Sequence, residues 1–363
     1  MTDWSAPDAI DCSDESLFQS LLDRVETREK GHYFEFFDEG DEIHHDPGLR
    51  LSQHGNEEWM GQTLNHDPGY WRPDDARERG FAEPPAHPDY LLACVMGSTV
   101  EDLSEKGGYF LGRTDVEFHR TAYPGTELDV TSTVVDTRTS SSRPNYGIVT
   151  WESVGRDHET GEALVSYERT NMIPRREPVA SDGSGAVADD SSPADAASPD
   201  LPSTLVTPEG GTFEDFRVAL ERARENGAAV AYRHERGRTM DERLVAGLPL
   251  STLNTARQHH NRDVMTDSPS GDIVAYGDVT RSIALAHARS DEATYRERRF
   301  ESERFHDFVT LGDTVYGFTR VLGCDGEAGP DRAGAVTFEH VAFTQHSTPV
   351  YSGRRTALIQ RPQ

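Results

Sequence analysis

The sequence predicts an α+β fold built from two repeats, each an antiparallel sheet wrapped around one central helix. Three observations lead to this prediction. Short motifs recur at a constant offset, each half contains one apolar segment with helical spacing, and the segments that follow alternate as strands do. We therefore expect an internal duplication, with similar secondary structure in the two halves.

The duplication is visible in two pairs of motifs. FHRTAYPG at residues 118–125 corresponds to FHDFVTLG at 305–312, and TWESV at 150–154 corresponds to TFEHV at 337–341. Both pairs are separated by 187 residues. A single match of this kind is common by chance, but two matches at one offset favour a repeat.

Each repeat also has a predicted helix and predicted strands. Apolar residues recur at helical spacing in both halves, at Leu91, Leu92, Val95 and Met96 and again at Val279, Ile283 and Ala286. Even spacing typical of strands follows, at Leu128, Val130 and Val134 and again at Val315, Gly317, Thr319 and Val321.

Composition sets the domain boundaries. Residues 177–211 are rich in Pro, Ser, Ala, Asp and Gly and have few large apolar side chains, so they are predicted to be an acidic, mobile linker. We expect an N-terminal extension at 1–30, a first domain at 31–176 and a second domain at 212–363.

The charge of the chain excludes several classes of partner. It has 64 acidic and 36 basic residues, a net charge of −28, and only two of the basic residues are lysines. Such a charge repels nucleic acid and anionic membranes. An acidic surface poor in lysine is typical of a protein from a salt-rich, halophilic cytoplasm, where salt screens the self-repulsion.

The remaining composition indicates a soluble cytoplasmic protein. Cys12, Cys94 and Cys324 are far apart and fit no metal-site spacing, which favours a reducing compartment and predicts no metal. The first residues have neither a basic region nor an apolar run, so no signal peptide is predicted.

The net charge also predicts that salt stabilises the fold. We expect the midpoint of thermal unfolding to rise by several degrees between low salt and molar KCl, because screening reduces repulsion among the carboxylates. Thermal unfolding at a series of KCl concentrations measures this. A midpoint that stays flat or falls would mean that the carboxylates are already paired in the folded state.

One polar segment, STLNTARQHHN at residues 251–261, is the candidate catalytic motif. Asn254 and His259 stand five residues apart, and Gly277 follows Asn254 by 23 residues, where the apolar helix should begin. This spacing resembles the MaoC-like hydratases, in which D-x-N-P-x-H precedes a Gly at the start of the central helix. The resemblance implies a double hot-dog fold. It also implies that Asn254 occupies the position of the family's Asp.

The first half keeps the spacing but not the residue types. Asn65, Tyr70 and Pro88 stand at the positions of Asn254, His259 and Gly277. Because proline has no N–H to donate, this half is predicted to be catalytically silent and to help shape the acyl pocket.

A narrower resemblance is to the mesaconyl-CoA hydratases, also called β-methylmalyl-CoA dehydratases. NTARQHHN is similar to their N-T-A-[RK]-x-H-x-N pattern, which has Asn where simpler relatives have Asp. It implies a hydro-lyase that adds water to mesaconyl-CoA in the methylaspartate cycle of acetate assimilation. The coenzyme A would be part of the substrate, and no other cofactor is expected.

Residue chemistry assigns roles to the motif. His259 is the candidate general base, and a backbone N–H at Gly277 suits the thioester oxygen that becomes enolate-like. Asn254 can hold water but cannot accept a proton at neutral pH. A carboxylate could therefore assist His259, and Asp278 is the first candidate, with Asp263 second.

The substrate implied by the resemblance has a free carboxylate, which an arginine should bind. Arg257 is the nearest in sequence to the motif and Arg262 the next, while Asn261, Tyr70 and Asn65 are further candidates for substrate binding. Two other functions remain open: an (R)-specific enoyl-CoA hydratase for unbranched chains, and a non-catalytic acyl-CoA-binding protein. Homo-oligomers are also left open.

Overall fold

The computed structural model describes residues 13, 15–141, 143–177 and 202–362. The chain divides into two compact units, Met1–Lys30 and Gly31–Gln363. In the first unit, Glu15–Arg24 forms helix α1. The second unit contains both repeats.

The first repeat contains four helices and six strands among its described residues. Its helices are α2 (Gln53–Gln62), α3 (Pro73–Glu78), α4 (Pro88–Ser98) and α5 (Val100–Leu103). Its strands are β1 (Glu42–His44), β2 (Leu49–Arg50), β3 (Tyr109–Phe118), β4 (Glu127–Thr139), β5 (Tyr146–Asp157) and β6 (Ala163–Pro174).

The second repeat follows the same plan. Its described helices are α6 (Phe213–Glu225), α7 (Leu248–Ser251), α8 (Arg262–Met265) and α9 (Gly277–Asp291). Its described strands are β7 (Leu205–Val206), β8 (Ala229–Thr239), β9 (Thr294–Phe305), β10 (Thr314–Asp325), β11 (Ala333–Thr344) and β12 (Pro349–Gln360).

The described strands of both repeats form one continuous sheet. Its order is β1-β4-β5-β6-β3-β9-β12-β11-β10-β8-β7, with β2 paired to β4. The repeats join where β3 and β9 pair antiparallel, with Arg113 opposite Glu303 and Val116 opposite Phe300. Since β3 and β9 are equivalent strands, each repeat meets its own copy, as two subunits would across a dimer interface.

The predicted duplication is confirmed by the order of the strands. The order β3-β6-β5-β4 in one half corresponds to β9-β12-β11-β10 in the other. The repeated Phe-His pairs lie at the ends of β3 and β9, and the histidines make the same contact: His119 Nε2 with Ser166 Oγ, and His306 Nε2 with Ser352 Oγ, both at 2.8 Å.

Each half-sheet packs around one of the two predicted apolar helices, α4 in the first repeat and α9 in the second. Every residue of α4 is buried, as is most of α9. Leu92, Val95, Val279 and Leu285 lie in one apolar cluster that spans both repeats. Among the described helices, none is both long enough and apolar enough to cross a membrane.

The predicted linker at 177–211 falls mostly outside the described residues. Of its described end, Leu205 and Val206 pair in parallel with Ala229 and Val230 of β8. The second half-sheet therefore begins before residue 212. A strand of two residues is too short to show alternation, so composition could not reveal it.

A buried network of ion pairs lies where the two repeats meet. Asp89 is within 2.9 Å of Arg281 and 2.6 Å of Arg289, and Arg113 is within 2.7 Å of Asp278. The network extends through acidic and basic side chains that are all at least nine-tenths buried: Glu292, Glu297, Glu303 and Arg355. It fixes α4 and α9 against each other and against the strands that cross beside them.

Candidate active site

A cavity of about 610 Å³ lies between the two repeats. The second repeat supplies the predicted motif, with Asn254, His259 and Gly277 on its wall. The first repeat supplies residues from α4, β3 and β6, including Met96, Phe110 and Asn171. The first half therefore lines this cavity, through residues that the sequence did not single out.

The backbone fixes the position and the tautomer of His259. It ends a 3-10 turn, Arg257–His259, and its side chain is 4% exposed. Nδ1 lies 2.8 Å from the carbonyl oxygen of Val274, while the N–H of Val274 donates to the carbonyl of Gln258. Because a carbonyl only accepts, Nδ1 must carry the proton, and the lone pair is on Nε2.

Burial keeps His259 in its basic form. Burial lowers the pKa of this histidine from 6.5 to about 4. The hydrogen bond to the Val274 carbonyl has the opposite, smaller effect and raises the pKa. The neighbouring His260 lowers it further. His259 is therefore neutral at pH 7 and can accept a proton from water.

Asn254 lines the same cavity as this histidine. It is 2% exposed, and its Oδ1 accepts a hydrogen bond of 3.2 Å from the N–H of Ala256. The preceding Leu253 has a φ of 65°, a left-handed conformation uncommon for leucine, and its repeat counterpart Leu64 has a φ of 64°. Such backbone strain is often retained at functional sites.

Gly277 presents an unpaired donor to the same cavity. It is the first residue of α9, and no side chain caps this helix end. Within the described residues its N–H makes no hydrogen bond, and it stands at the positive end of the helix dipole. A Cβ atom at this position would be 2.9 Å from the ring of Phe305, so a larger residue would have to displace that ring.

These groups together can catalyse addition of water to an unsaturated thioester. A neutral imidazole can accept the proton of water, a buried amide can orient that water, and a free N–H can stabilise negative charge on the thioester oxygen. No group of three or more His, Cys, Asp and Glu in the described part of the chain could hold a metal ion.

Comparison with known proteins gives the family. A family model described as mesaconyl-CoA hydratase matches residues 11–361. A mesaconyl-CoA hydratase of Haloarcula hispanica is 77% identical over 363 residues, covering 100% of both chains. The chain belongs to the mesaconyl-CoA hydratase family. A more distant member, from Cereibacter sphaeroides, is 27% identical over 88% of this chain and 91% of its own.

Two solved structures have the same fold as this chain. A MaoC domain dehydratase from Chloroflexus aurantiacus has a TM-score of 0.77 at 22% identity, covering 93% of this chain and 100% of its own. A Mycobacterium tuberculosis protein described as a double hotdog has a TM-score of 0.69 at 20% identity, covering 91% of this chain and 98% of its own. The double hot-dog prediction is thus confirmed.

The structure corrects the role expected of Asp278. Its carboxylate is 1% exposed and is held by Arg113, at 2.7 Å, and by Arg281, at 3.4 Å. Although burial alone would raise the pKa of Asp278, these two arginines lower it below its usual value. An anion held by two arginines in the core is a poor proton acceptor, so Asp278 stabilises the repeat interface. The second candidate, Asp263, is exposed on α8.

The two arginines predicted to bind the substrate carboxylate do not lie in the cavity. Arg257 is exposed and does not line the cavity, and Arg262 forms an exposed ion pair of 2.9 Å with Asp272. Asn261 caps α8, since its Oδ1 accepts from the N–H of Val264 at 3.2 Å. Proximity in sequence misled here because Arg257 on the 3-10 turn and Arg262 on α8, although next to the motif along the chain, are exposed and do not line the cavity.

Tyr70 and Asn65 do not line the cavity of His259 either. Tyr70 lines a separate cavity of about 190 Å³, together with Pro88. Asn65 makes a 3.0 Å hydrogen bond with the ring of His87, which stands where the other repeat has Tyr276. Tyr70, the repeat counterpart of His259, therefore lies in the counterpart of the active cavity, and Asn65, the counterpart of Asn254, contacts the N-cap residue of α4.

Two arginines on the cavity wall are not among the predicted substrate-binding residues. Arg143 lies over the ring of Tyr109, 4.3 Å from its centre, and Arg304 is the last residue but one of β9, just before the repeated Phe-His pair. Both are exposed, so they can meet the phosphates of coenzyme A. The repeated Phe-His motif was a usable signal for Arg304, whereas nothing marks Arg143.

Buried histidines predict how stability depends on pH. Burial lowers the pKa of His87 and His234 to about 3, of His259 to about 4, and of His340 well below 6.5. The unfolded chain takes up these protons near pH 6.5 and the folded chain does not. This contribution to stability is therefore complete above pH 6.5 and is lost as the pH falls towards 4.

We expect the free energy of unfolding to fall by about 1.4 kcal/mol per pH unit for each such histidine in that range. Urea unfolding in constant KCl at pH 7, 6 and 5 measures the slope. His259→Gln should reduce this slope by the contribution of one histidine, about 1.4 kcal/mol per pH unit. A free energy that is flat between pH 7 and pH 5 would show that the histidines are not buried in neutral form.

Proposed function

We propose that this protein reversibly adds water to the double bond of mesaconyl-CoA and forms β-methylmalyl-CoA. The observation that carries the proposal is the hydrogen bond from His259 Nδ1 to the Val274 carbonyl, which leaves Nε2 as a base in the cavity. Membership of the family and the unpaired N–H of Gly277 support it. The cytoplasmic location, the methylaspartate cycle and the assembly of several copies stay predictions.

The proposed reaction uses the three groups in sequence. Asn254 orients a water molecule, and His259 Nε2 accepts its proton as the oxygen attacks the β-carbon. The double bond shifts towards the thioester, whose oxygen becomes enolate-like and receives a hydrogen bond from Gly277. The imidazolium then returns the proton to the α-carbon, so one water is added and His259 is neutral again.

A direct assay tests the proposal. The protein is incubated in molar KCl with mesaconyl-CoA or with crotonyl-CoA, and loss of enoyl-thioester absorbance is followed. We expect mesaconyl-CoA to react with the higher kcat/KM and its product to be 18 Da heavier. Preference for crotonyl-CoA would favour the (R)-specific hydratase, and no reaction with either would favour the acyl-CoA-binding protein.

Replacement of Asn254 by Asp tests its role in holding water. We expect Asn254→Asp to retain activity within about tenfold, because a carboxylate can also accept from Ala256 and hold water. A carboxylate beside His259 raises the pKa of the histidine, so the acidic limb of the pH profile should move to higher pH. Asn254→Leu, which can do neither, should lose about 10²-fold. Equal collapse of both variants would contradict the water-holding role.

A further inference from the structure

One buried arginine of the first repeat lacks a counter-charge. Arg169 on β6 is 0% exposed, and burial lowers its pKa. Its Nη1 donates to Thr99 Oγ1 at 2.8 Å and its Nη2 to Ser104 Oγ at 3.0 Å, while Nε has no hydrogen-bond partner. The other fully buried arginines among the described residues, at positions 113, 281 and 355, all have carboxylate partners.

The second repeat shows what is missing. Arg355 on β12 is the counterpart of Arg169, and its Nε donates to Glu297 at 2.9 Å and its Nη1 to Glu292 at 2.7 Å. Glu297 stands opposite Ala357 in the strand pairing. The equivalent strand pairing in the first repeat therefore identifies the residue that stands in place of Glu297.

In the first repeat, the position of Glu297 is occupied by Phe110. Phe110 stands opposite Asn171, two residues beyond Arg169, just as Glu297 stands opposite Ala357, two residues beyond Arg355. An apolar ring has thus replaced the carboxylate that would pair with Nε of Arg169. A buried cation without a carboxylate partner lowers the stability of the fold unless another anion compensates its charge.

The unpaired arginine lies directly behind the active cavity. Ser104 and Met96, which it contacts, both line the cavity, with Met96 Sδ 3.6 Å from Nη1. Phe110 and Asn171 line it too. Asn171 is 5% exposed, and its Oδ1 is buried without a hydrogen-bond partner. Two unsatisfied polar groups therefore adjoin the same part of the wall.

We propose that this part of the wall, formed by Ser104 and Asn171 with Arg169 behind them, binds the free carboxylate of a short dicarboxylic acyl-CoA. Ser104 Oγ and Asn171 Nδ2 donate hydrogen bonds to the carboxylate from the wall, and Arg169 supplies the positive charge behind them. The substrate thus provides in the first repeat the acid that Glu297 provides in the second. This inference rests on the proposed hydration of mesaconyl-CoA, whose acyl group has such a carboxylate.

The test compares two substrates that differ only at this group. In 2-methylcrotonyl-CoA with the matching geometry, a methyl group replaces the carboxylate of mesaconyl-CoA. We expect Arg169→Leu to lower kcat/KM for mesaconyl-CoA by about 10²-fold, mainly through KM, and to change it for 2-methylcrotonyl-CoA by less than about threefold. Arg169→Lys, which keeps the charge, should recover part of the loss.

Arg304→Leu is the matched control. This arginine lies on the exposed part of the wall, so its loss should weaken both substrates equally through their common coenzyme A. If Arg169→Leu also lowers both substrates by one factor, Arg169 is only structural and the proposal is wrong.

A second variant covers the case in which Arg169→Leu does not fold. Asn171→Asp puts a negative charge on the wall, and it should reduce turnover of mesaconyl-CoA far more than that of 2-methylcrotonyl-CoA. Equal loss on both substrates would overturn the subsite. A wild-type protein that prefers 2-methylcrotonyl-CoA would instead overturn the proposed function, so the two failures are distinguishable.

Discussion

His259→Ala is expected to lower kcat for hydration of mesaconyl-CoA by about 10²–10⁴, the usual contribution of a general base. The hydrogen bond of Nδ1 to Val274 leaves Nε2 unprotonated, and burial holds the pKa of the ring at about 4. Since His259 is the base, the wild-type rate should be flat through neutral pH and should fall as the pH approaches 4. Steady-state kinetics in molar KCl at several pH values measure both effects.

The neighbouring histidine provides the control. His260 is exposed and its Nε2 contacts the carbonyl oxygen of Thr255 at 2.9 Å, so His260→Ala should keep kcat within about threefold. Tyr70→Ala, at the repeat position of His259, should also have little effect, because Tyr70 lines the other cavity. A His259→Ala enzyme with the kcat of wild type would show that the chemistry lies elsewhere.

The sequence predicted the part of the site that depends on local spacing. The interval from Asn254 to Gly277 brings a turn and a helix N-terminus together. Asn254 and Gly277 both lie on the cavity wall. Motifs at a constant offset located the repeat, and apolar segments located its two central helices, which are buried on nearly all sides. Such features are encoded within a short stretch of chain.

The rest of the site depends on contacts between distant parts of the chain. Asp278 follows Gly277 directly, yet it pairs with Arg113 from the other repeat. Whether a carboxylate faces a cavity or a buried arginine cannot be judged from its own neighbours in sequence. For the same reason the sequence predicts Arg257 and does not indicate Arg169, whose lack of an acidic partner appears only when the two repeats are compared residue by residue.

The ion pairs of Asp278 lead to the second large effect, on stability. Asp278→Ala is expected to lower the free energy of unfolding by about 3–5 kcal/mol, the usual consequence of removing one partner from a buried ion pair. The carboxylate lies 2.7 Å from Arg113 and 3.4 Å from Arg281, and all three side chains are almost fully buried. Its removal leaves less negative charge in the core to compensate the two guanidinium groups. Urea unfolding in molar KCl measures the loss, since urea does not change the ionic strength.

Two further variants separate burial from charge in this prediction. Asp89→Ala, at the repeat position of Asp278, should cost a similar amount, because Asp89 pairs with the buried Arg281 and Arg289. Asp74→Ala removes an exposed partner of Arg77 and should cost less than about 1 kcal/mol. If all three variants cost the same small amount, the buried pairs are already compensated by other groups. If Asp278→Ala instead abolishes turnover while the unfolding curve is unchanged, its carboxylate acts in the reaction and the correction of its role is itself wrong.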